Sequence, residues 1–105
     1  MRTYTVNLFQ APDEPQFWIG HVPAANAMSQ GDTKEQALEM TRKALETVLE
    51  DLIETGQPLP KDAPDLETAQ AQTRTWFGLP NIELHAARIF VRAVVQTAEV
   101  HGVAA

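Results

Sequence analysis

The sequence contains no cysteine, which excludes disulfides, thiolate nucleophiles and thiolate metal sites. It also lacks a long apolar run. The most hydrophobic stretch, Ala86 to Val95, is broken by Arg88 and Arg92, and a membrane span needs ~20 uninterrupted apolar residues. The N-terminus has no basic-then-apolar secretion pattern, so the simple expectation is a cytoplasmic protein. Basic residues are scarce: eight Lys and Arg stand against 14 Asp and Glu, for a formal charge of −6. Residues 1–60 carry four basic and nine acidic side chains, residues 61–73 one and three, and residues 74–105 three and two. Such an acidic body is a poor phosphate binder, because nucleic-acid affinity comes from Lys and Arg displacing counterions. It suits a basic protein partner, and solubility is the bland alternative. With 105 residues, 44% of them apolar, the chain makes one domain with a single core, burying roughly two-thirds of its surface.

What is present is organised around Ser29 to Gly56. Asp32 or Thr33 can cap the first free amides of a helix, with Glu35 three residues after the first and Gln36 three after the second. Ala37, Leu38, Thr41, Ala44, Leu45, Val48, Leu49 and Leu52 recur at steps of three and four, lining one helical face. Charged residues fill the rest, Gly56 ends the helix and Pro58 prevents continuation.

Upstream, Arg2 to Gln10 alternates with a period of two and predicts a strand. Ala11 to Pro15 is turn chemistry, Gln16 to Val22 suits an antiparallel second strand, and Ala24 to Gln30 can supply a third. Downstream, residues 57–72 read as a proline-containing surface connection, with a helical turn possible over Leu66 to Gln72. Thr73 to Leu79 is rich in β-favouring residues and predicts a further strand. After Pro80, the polar residues Asn81, His85, Arg88, Arg92, Gln96 and Glu99 fall at helical spacing, predicting an amphipathic helix that Gly102 closes. Its apolar side is wide. Leu84, Phe90, Val91, Val94 and Val95 are therefore candidates for a homodimer or larger oligomer contact. The expected class is α+β: a small antiparallel sheet in β-β-β-α-β order carrying one long helix over residues 1–79, with residues 80–105 as an oligomerisation helix.

Residues for catalysis are hard to find. His21, His85 and His101 have no ligand at metal-site spacing, and the last two sit roughly 24 Å apart along one helix. Each reads as a partly exposed surface residue. Gly31 belongs to a helix start, where Asp32 and Glu35 would repel an anion. Ser29 has no recognisable base. Glu46, Glu50 and Glu54 share a helix side, but it is the solvated side and Arg42 precedes them at the same spacing. No catalytic residue, metal or cofactor is assigned.

The ordered marks strand, turn, strand with Trp18, then Val22-Pro23, Ser29-Gln30-Gly31-Asp32-Thr33, Glu35, Ala37, and Gly56 with Pro58 and Pro60 resemble the HicB-like antitoxin family. The likeness covers about residues 3–60. It implies a partial, degenerate ribonuclease-H-like fold that binds and silences a small basic, mRNA-cleaving HicA-type toxin. The fold's active relatives place an aspartate on the first strand, and Arg2 to Gln10 holds no carboxylate. That favours a binding module over a nuclease. Asp13, Glu14 and Trp18 on the hairpin are the expected contacts, with Trp18 in the core as the structural alternative. Family members often append a DNA-binding element. Here one helix with Arg88 and Arg92 makes a poor DNA reader, so operator binding is not expected. The second hypothesis is a solitary homo-oligomeric regulator without a toxin, binding nucleic acid through Arg74, Arg88 and Arg92.

Overall fold

The computed structural model describes residues 2–91. Strands β1 (Arg2–Gln10), β2 (Trp18–Val22) and β3 (Ala27–Gly31) precede helices α1 (Lys34–Glu54) and α2 (Leu66–Phe77), and β4 (His85–Val91) follows. The sheet has the order β3-β2-β1-β4, and every neighbouring pair is antiparallel. The α+β class and the antiparallel sheet therefore stand, with a second helix in the sequence of elements.

Alternation sends β1 side chains to opposite faces. Tyr4, Val6 and Leu8 meet Leu45 and Leu49 of α1, together with Val22, Ile89 and Val91, and these form the apolar core. Thr5, Asn7 and Phe9 point the other way, toward α2 and its lead-in loop. The two helices thus cover opposite faces of one sheet.

Thr33 is the cap of α1: its hydroxyl accepts from the Gln36 amide at 3.0 Å, while the Gln36 side chain accepts from the Asp32 amide at 2.5 Å. Gly31 is needed just before, since a Cβ there would lie 2.6 Å from the backbone nitrogen of Ala37. At the far end Thr55 is the C-cap, and Gly56 and Gln57 donate to the carbonyls of Ile53 and Leu52 at 3.0 and 2.8 Å, closing the helix in a Schellman turn.

Two expectations are corrected. Thr73 to Leu79 is not a strand, because it completes α2 up to Phe77. The Asp65 carboxylate caps α2 through the Thr68 amide at 2.7 Å, and Ala69 and Thr73, four residues apart, are buried on the sheet. A cap, a helical period and Gly78 at φ 68° outweigh the β preference of Thr, Trp and Phe. Likewise, His85–Val91 is not helical but pairs with β1 from Arg2↔Val91 to Leu8↔His85. Ile89 and Val91 are buried while Ala86, Arg88 and Phe90 face outward. The outward Ala86 and Phe90 hid the two-residue period and made the apolar surface look wide.

The sheet accordingly crosses the boundary drawn at residues 79 and 80. Val91, expected at a subunit contact, belongs to the core at 1% exposure, Leu84 is half-buried, and Phe90 is 60% exposed. Val94, Val95 and the rest of the expected terminal helix lie outside the described residues.

The connection between the helices is tied to β1. The Tyr4 hydroxyl donates to the Pro60 carbonyl at 2.6 Å. Asp62 accepts from both the Thr5 amide and the Thr5 hydroxyl, at 2.9 and 2.8 Å. Pairing of β1 with β2 runs from Asn7↔His21 to Gln10↔Trp18, and Pro23 has no amide to extend it. Beyond the last β1–β2 pair, the Asp62 carboxylate is the acceptor for the Thr5 amide.

Candidate functional site

On the α2 face the sheet carries polar rather than aliphatic groups. Asn7 and His21 are cross-strand partners, both wholly buried, and Thr73 of α2 sits over them. The Asn7 amide nitrogen donates to the Ala69 carbonyl at 3.1 Å and to the Thr73 hydroxyl at 2.7 Å. Thr73 Oγ1 lies 2.8 Å from His21 Nδ1. The Thr73 hydroxyl has two acceptor lone pairs and one proton, so while accepting from Asn7 it pairs with His21 Nδ1 in either tautomer of the ring.

Among the described residues, His21 Nε2 and Asn7 Oδ1 are buried without a hydrogen-bond partner. Leaving such a group unsatisfied costs about 1–3 kcal/mol. Burial pushes the His21 pKa below its ordinary 6.5. The Asn26 side chain offsets part of that, although it makes no hydrogen bond to Nε2. The ring is wrapped by aromatics: Trp76 lies nearly parallel at 6.1 Å between centroids, and Phe77 stands edge-on at 5.2 Å. Phe77 also meets Phe9 edge-on at 5.1 Å.

Of these groups, His21 and Trp76 line an open cavity of about 730 Å³ between α2 and the turn joining β2 to β3. Around it stand His21, Asn26, Asp65, Glu67, Gln72 and Trp76. Asn26 holds the turn at φ 50°, a conformation Asn tolerates better than most residues. Trp76 is 54% exposed, a large apolar area for a surface position. Among the described residues no Lys or Arg lines the cavity, and the carboxylates of Asp65 and Glu67 give its lining a negative charge.

The residues expected at a partner surface lie elsewhere. Asp13 and Glu14 are exposed in the turn between β1 and β2, closed by the Phe17 amide donating to the Glu14 carbonyl at 2.9 Å. Trp18 is half-buried on the α1 face, with the Lys34 ammonium 5.7 Å from its ring centre and His85 edge-on at 5.4 Å. The hairpin acids thus remain available for contact, whereas Trp18 packs against the core. His21 is corrected from a partly exposed residue to a fully buried one. Its place in β2, two residues after Ile19, was the signal that it points inward. Trp76 and Thr73 were missed because their segment was read as a strand.

His85 is partly exposed, with Nε2 3.6 Å from a Glu83 carboxylate oxygen, and His101 lies outside the described residues. Among the described residues no three His, Cys, Asp or Glu side chains converge as a metal site, and no helix is long and apolar enough to cross a membrane. The chain matches no family model and no curated protein sequence.

Proposed function

We propose that the protein is a non-enzymatic binding module of the HicB-like antitoxin kind, which holds and silences a small basic mRNA-cleaving protein. The observation that carries this reading is the charge at the end of α1. Glu50, Asp51 and Glu54 crowd its last two turns, and no basic residue occupies the last turn. A helix C-terminus already bears partial negative charge. Each acid there is therefore unfavourable in the free protein, by roughly 0.3–1 kcal/mol. Farther back, Glu39 and Glu46 are both bridged by Arg42, so the uncompensated charge is local to the end. A basic partner would turn this cost into attraction. The marks behind the family resemblance agree in kind, since each has a structural duty: Pro23 ends β2, Thr33 caps α1, and Gly56 closes it.

The test is a tagged capture from the host followed by an RNA-cleavage assay. Recovery of a small basic protein at near-equal amount, with its cleavage of RNA suppressed in the complex, is the expected result. Unaltered cleavage in the presence of excess protein refutes the reading. Replacing Glu50 and Glu54 by Lys should weaken capture while stabilising the free protein by roughly 0.3–1 kcal/mol per site. A purely solubilising role for these acids predicts the stabilisation alone.

Phe90 favours a second reading, a solitary homo-oligomeric regulator. It is 60% exposed on β4, an edge strand among the described residues, beside the exposed Arg88. Sedimentation equilibrium at micromolar concentration decides it: self-association that Phe90→Asp abolishes supports this reading, and a monomer refutes it.

A further inference from the structure

We infer that the cavity between α2 and the β2–β3 turn receives a basic side chain, with its adjoining peptide unit, from the partner polypeptide. The inference rests on the proposal above that the partner is a basic protein, and it names a second place of contact, on the α2 face of the sheet.

Three observations define the guest. First, His21 lines the cavity and its Nε2 is buried without a hydrogen-bond partner, and a peptide unit, with both an N–H donor and a C=O acceptor, supplies one for either tautomer of the ring. Second, Asp65 and Glu67 are the carboxylates on the wall, and among the described residues that line the cavity none is Lys or Arg. An anion is disfavoured further because the Asp65 carboxylate already occupies the Thr68 amide, at 2.7 Å, at the start of α2. Third, Trp76 turns one face to the His21 ring and is 54% exposed, leaving aromatic surface on which a guanidinium or ammonium can rest. A simple amine carries the cation but no carbonyl acceptor. An arginine or lysine within a polypeptide carries both, and the volume of about 730 Å³ admits the flanking backbone.

The probe is Nα-acetyl-arginine amide, followed through the Trp76 indole and His21 ring resonances of the intact protein. Nα-acetyl-citrulline amide, which keeps the shape without the charge, and Nα-acetyl-glutamate amide serve as controls. Saturable shifts are expected with the arginine compound, at least fivefold tighter than with citrulline, weakened by salt and absent with glutamate. Asp65→Asn combined with Glu67→Gln should remove the preference for arginine with an unchanged far-ultraviolet spectrum, since Asn also caps helices. Equal response to arginine and citrulline, or no saturable shift at Trp76, overturns the inference. A basic protein captured equally well by wild type and the double variant overturns the inference and leaves the antitoxin-like reading standing. Saturable arginine binding without any basic protein captured supports the cavity's chemistry and counts against that reading.

Discussion

Gly20 is where α1 and the sheet come closest, and replacing it with Ala tests the packing directly. A Cβ at Gly20 would lie 2.1 Å from Thr41 Oγ1, 3.0 Å from Thr41 Cβ and 3.2 Å from Leu8 Cδ2. The first separation is more than an ångström short of the ordinary 3.4 Å contact. Rotating the Thr41 side chain moves its oxygen but not its Cβ, so the helix or β2 must also shift. Overpacking of a well-filled core costs about 1–3 kcal/mol. Gly20→Ala should therefore destabilise the protein by about 2 kcal/mol, read as a lower urea midpoint with unchanged slope. In thermal melts the loss is roughly 10 °C, at about 4–8 °C per kcal/mol. Thr41 supplies the internal control. Its hydroxyl is buried without a partner, so Thr41→Ala trades a lost methyl contact for relief of a desolvated hydroxyl and better helix propensity. It should change stability by less than about 1 kcal/mol. The double variant should recover at least half of the Gly20→Ala loss. Stability within about 0.5 kcal/mol of wild type for Gly20→Ala alone, or simple additivity in the double variant, would refute the close approach.

Acidification should act through His21 before the carboxylates. A group whose folded pKa is depressed gives stability that is complete above its unfolded value, near 6.5, and is lost as pH falls toward the folded value. Urea midpoints should thus be flat above neutrality and decline below about pH 6.5, by at most about 1.4 kcal/mol per pH unit. Loss of that decline in His21→Leu confirms the origin, and its persistence excludes it. Thr73→Val keeps the shape but strands His21 Nδ1 and leaves the Asn7 amide nitrogen with the Ala69 carbonyl alone, and should cost roughly 1–3 kcal/mol by urea denaturation. Tyr4→Phe removes the hydrogen bond to Pro60 and should cost about 1 kcal/mol. Asp62→Ala leaves the Thr5 amide and hydroxyl unpaired and should cost more than Tyr4→Phe, so the reverse order would argue against the loop's attachment through Asp62.

The first half of the fold was legible because local signals and tertiary packing agree there. β1 alternates, Thr33 and Gln36 make a cap, and the Thr41-Leu45-Leu49 spacing meets the sheet. In the second half they conflict. Thr73 to Phe77 has strand-like composition, yet Asp65 and Gly78 bracket a helix whose burial needs only Ala69, Thr73 and Phe77, each four residues apart. β4 has the opposite problem. Its charged and polar residues fall at intervals of three and four by coincidence, while its partners in β1, from Leu8↔His85 to Arg2↔Val91, lie 77 to 89 residues away in sequence and leave no local trace. The site suffered most, because Thr73 meets Asn7 across 66 residues and His21 across 52. Misplacing α2 removed the element that makes His21 part of a cavity.

The two faces of the sheet follow different chemistry, and stability explains only one of them. Against α1 the contacts are apolar, and the four most buried helix positions include Ala37, Leu45 and Leu49. Against α2 the sheet presents Asn7 and His21, and the helix answers with Thr73. Apolar residues of similar shape would hold α2 at least as well, since replacing both partners of a buried hydrogen bond is nearly neutral or stabilising. The polar line is moreover incomplete, with Asn7 Oδ1 and His21 Nε2 unpaired. Its cost is sensible if the line fixes the angle of α2, because hydrogen bonds constrain direction where apolar contacts slide. A fixed α2 places Trp76 over the His21 ring and Asp65 at the cavity rim. Of the two unpaired atoms, His21 Nε2 belongs to the residue that lines the cavity.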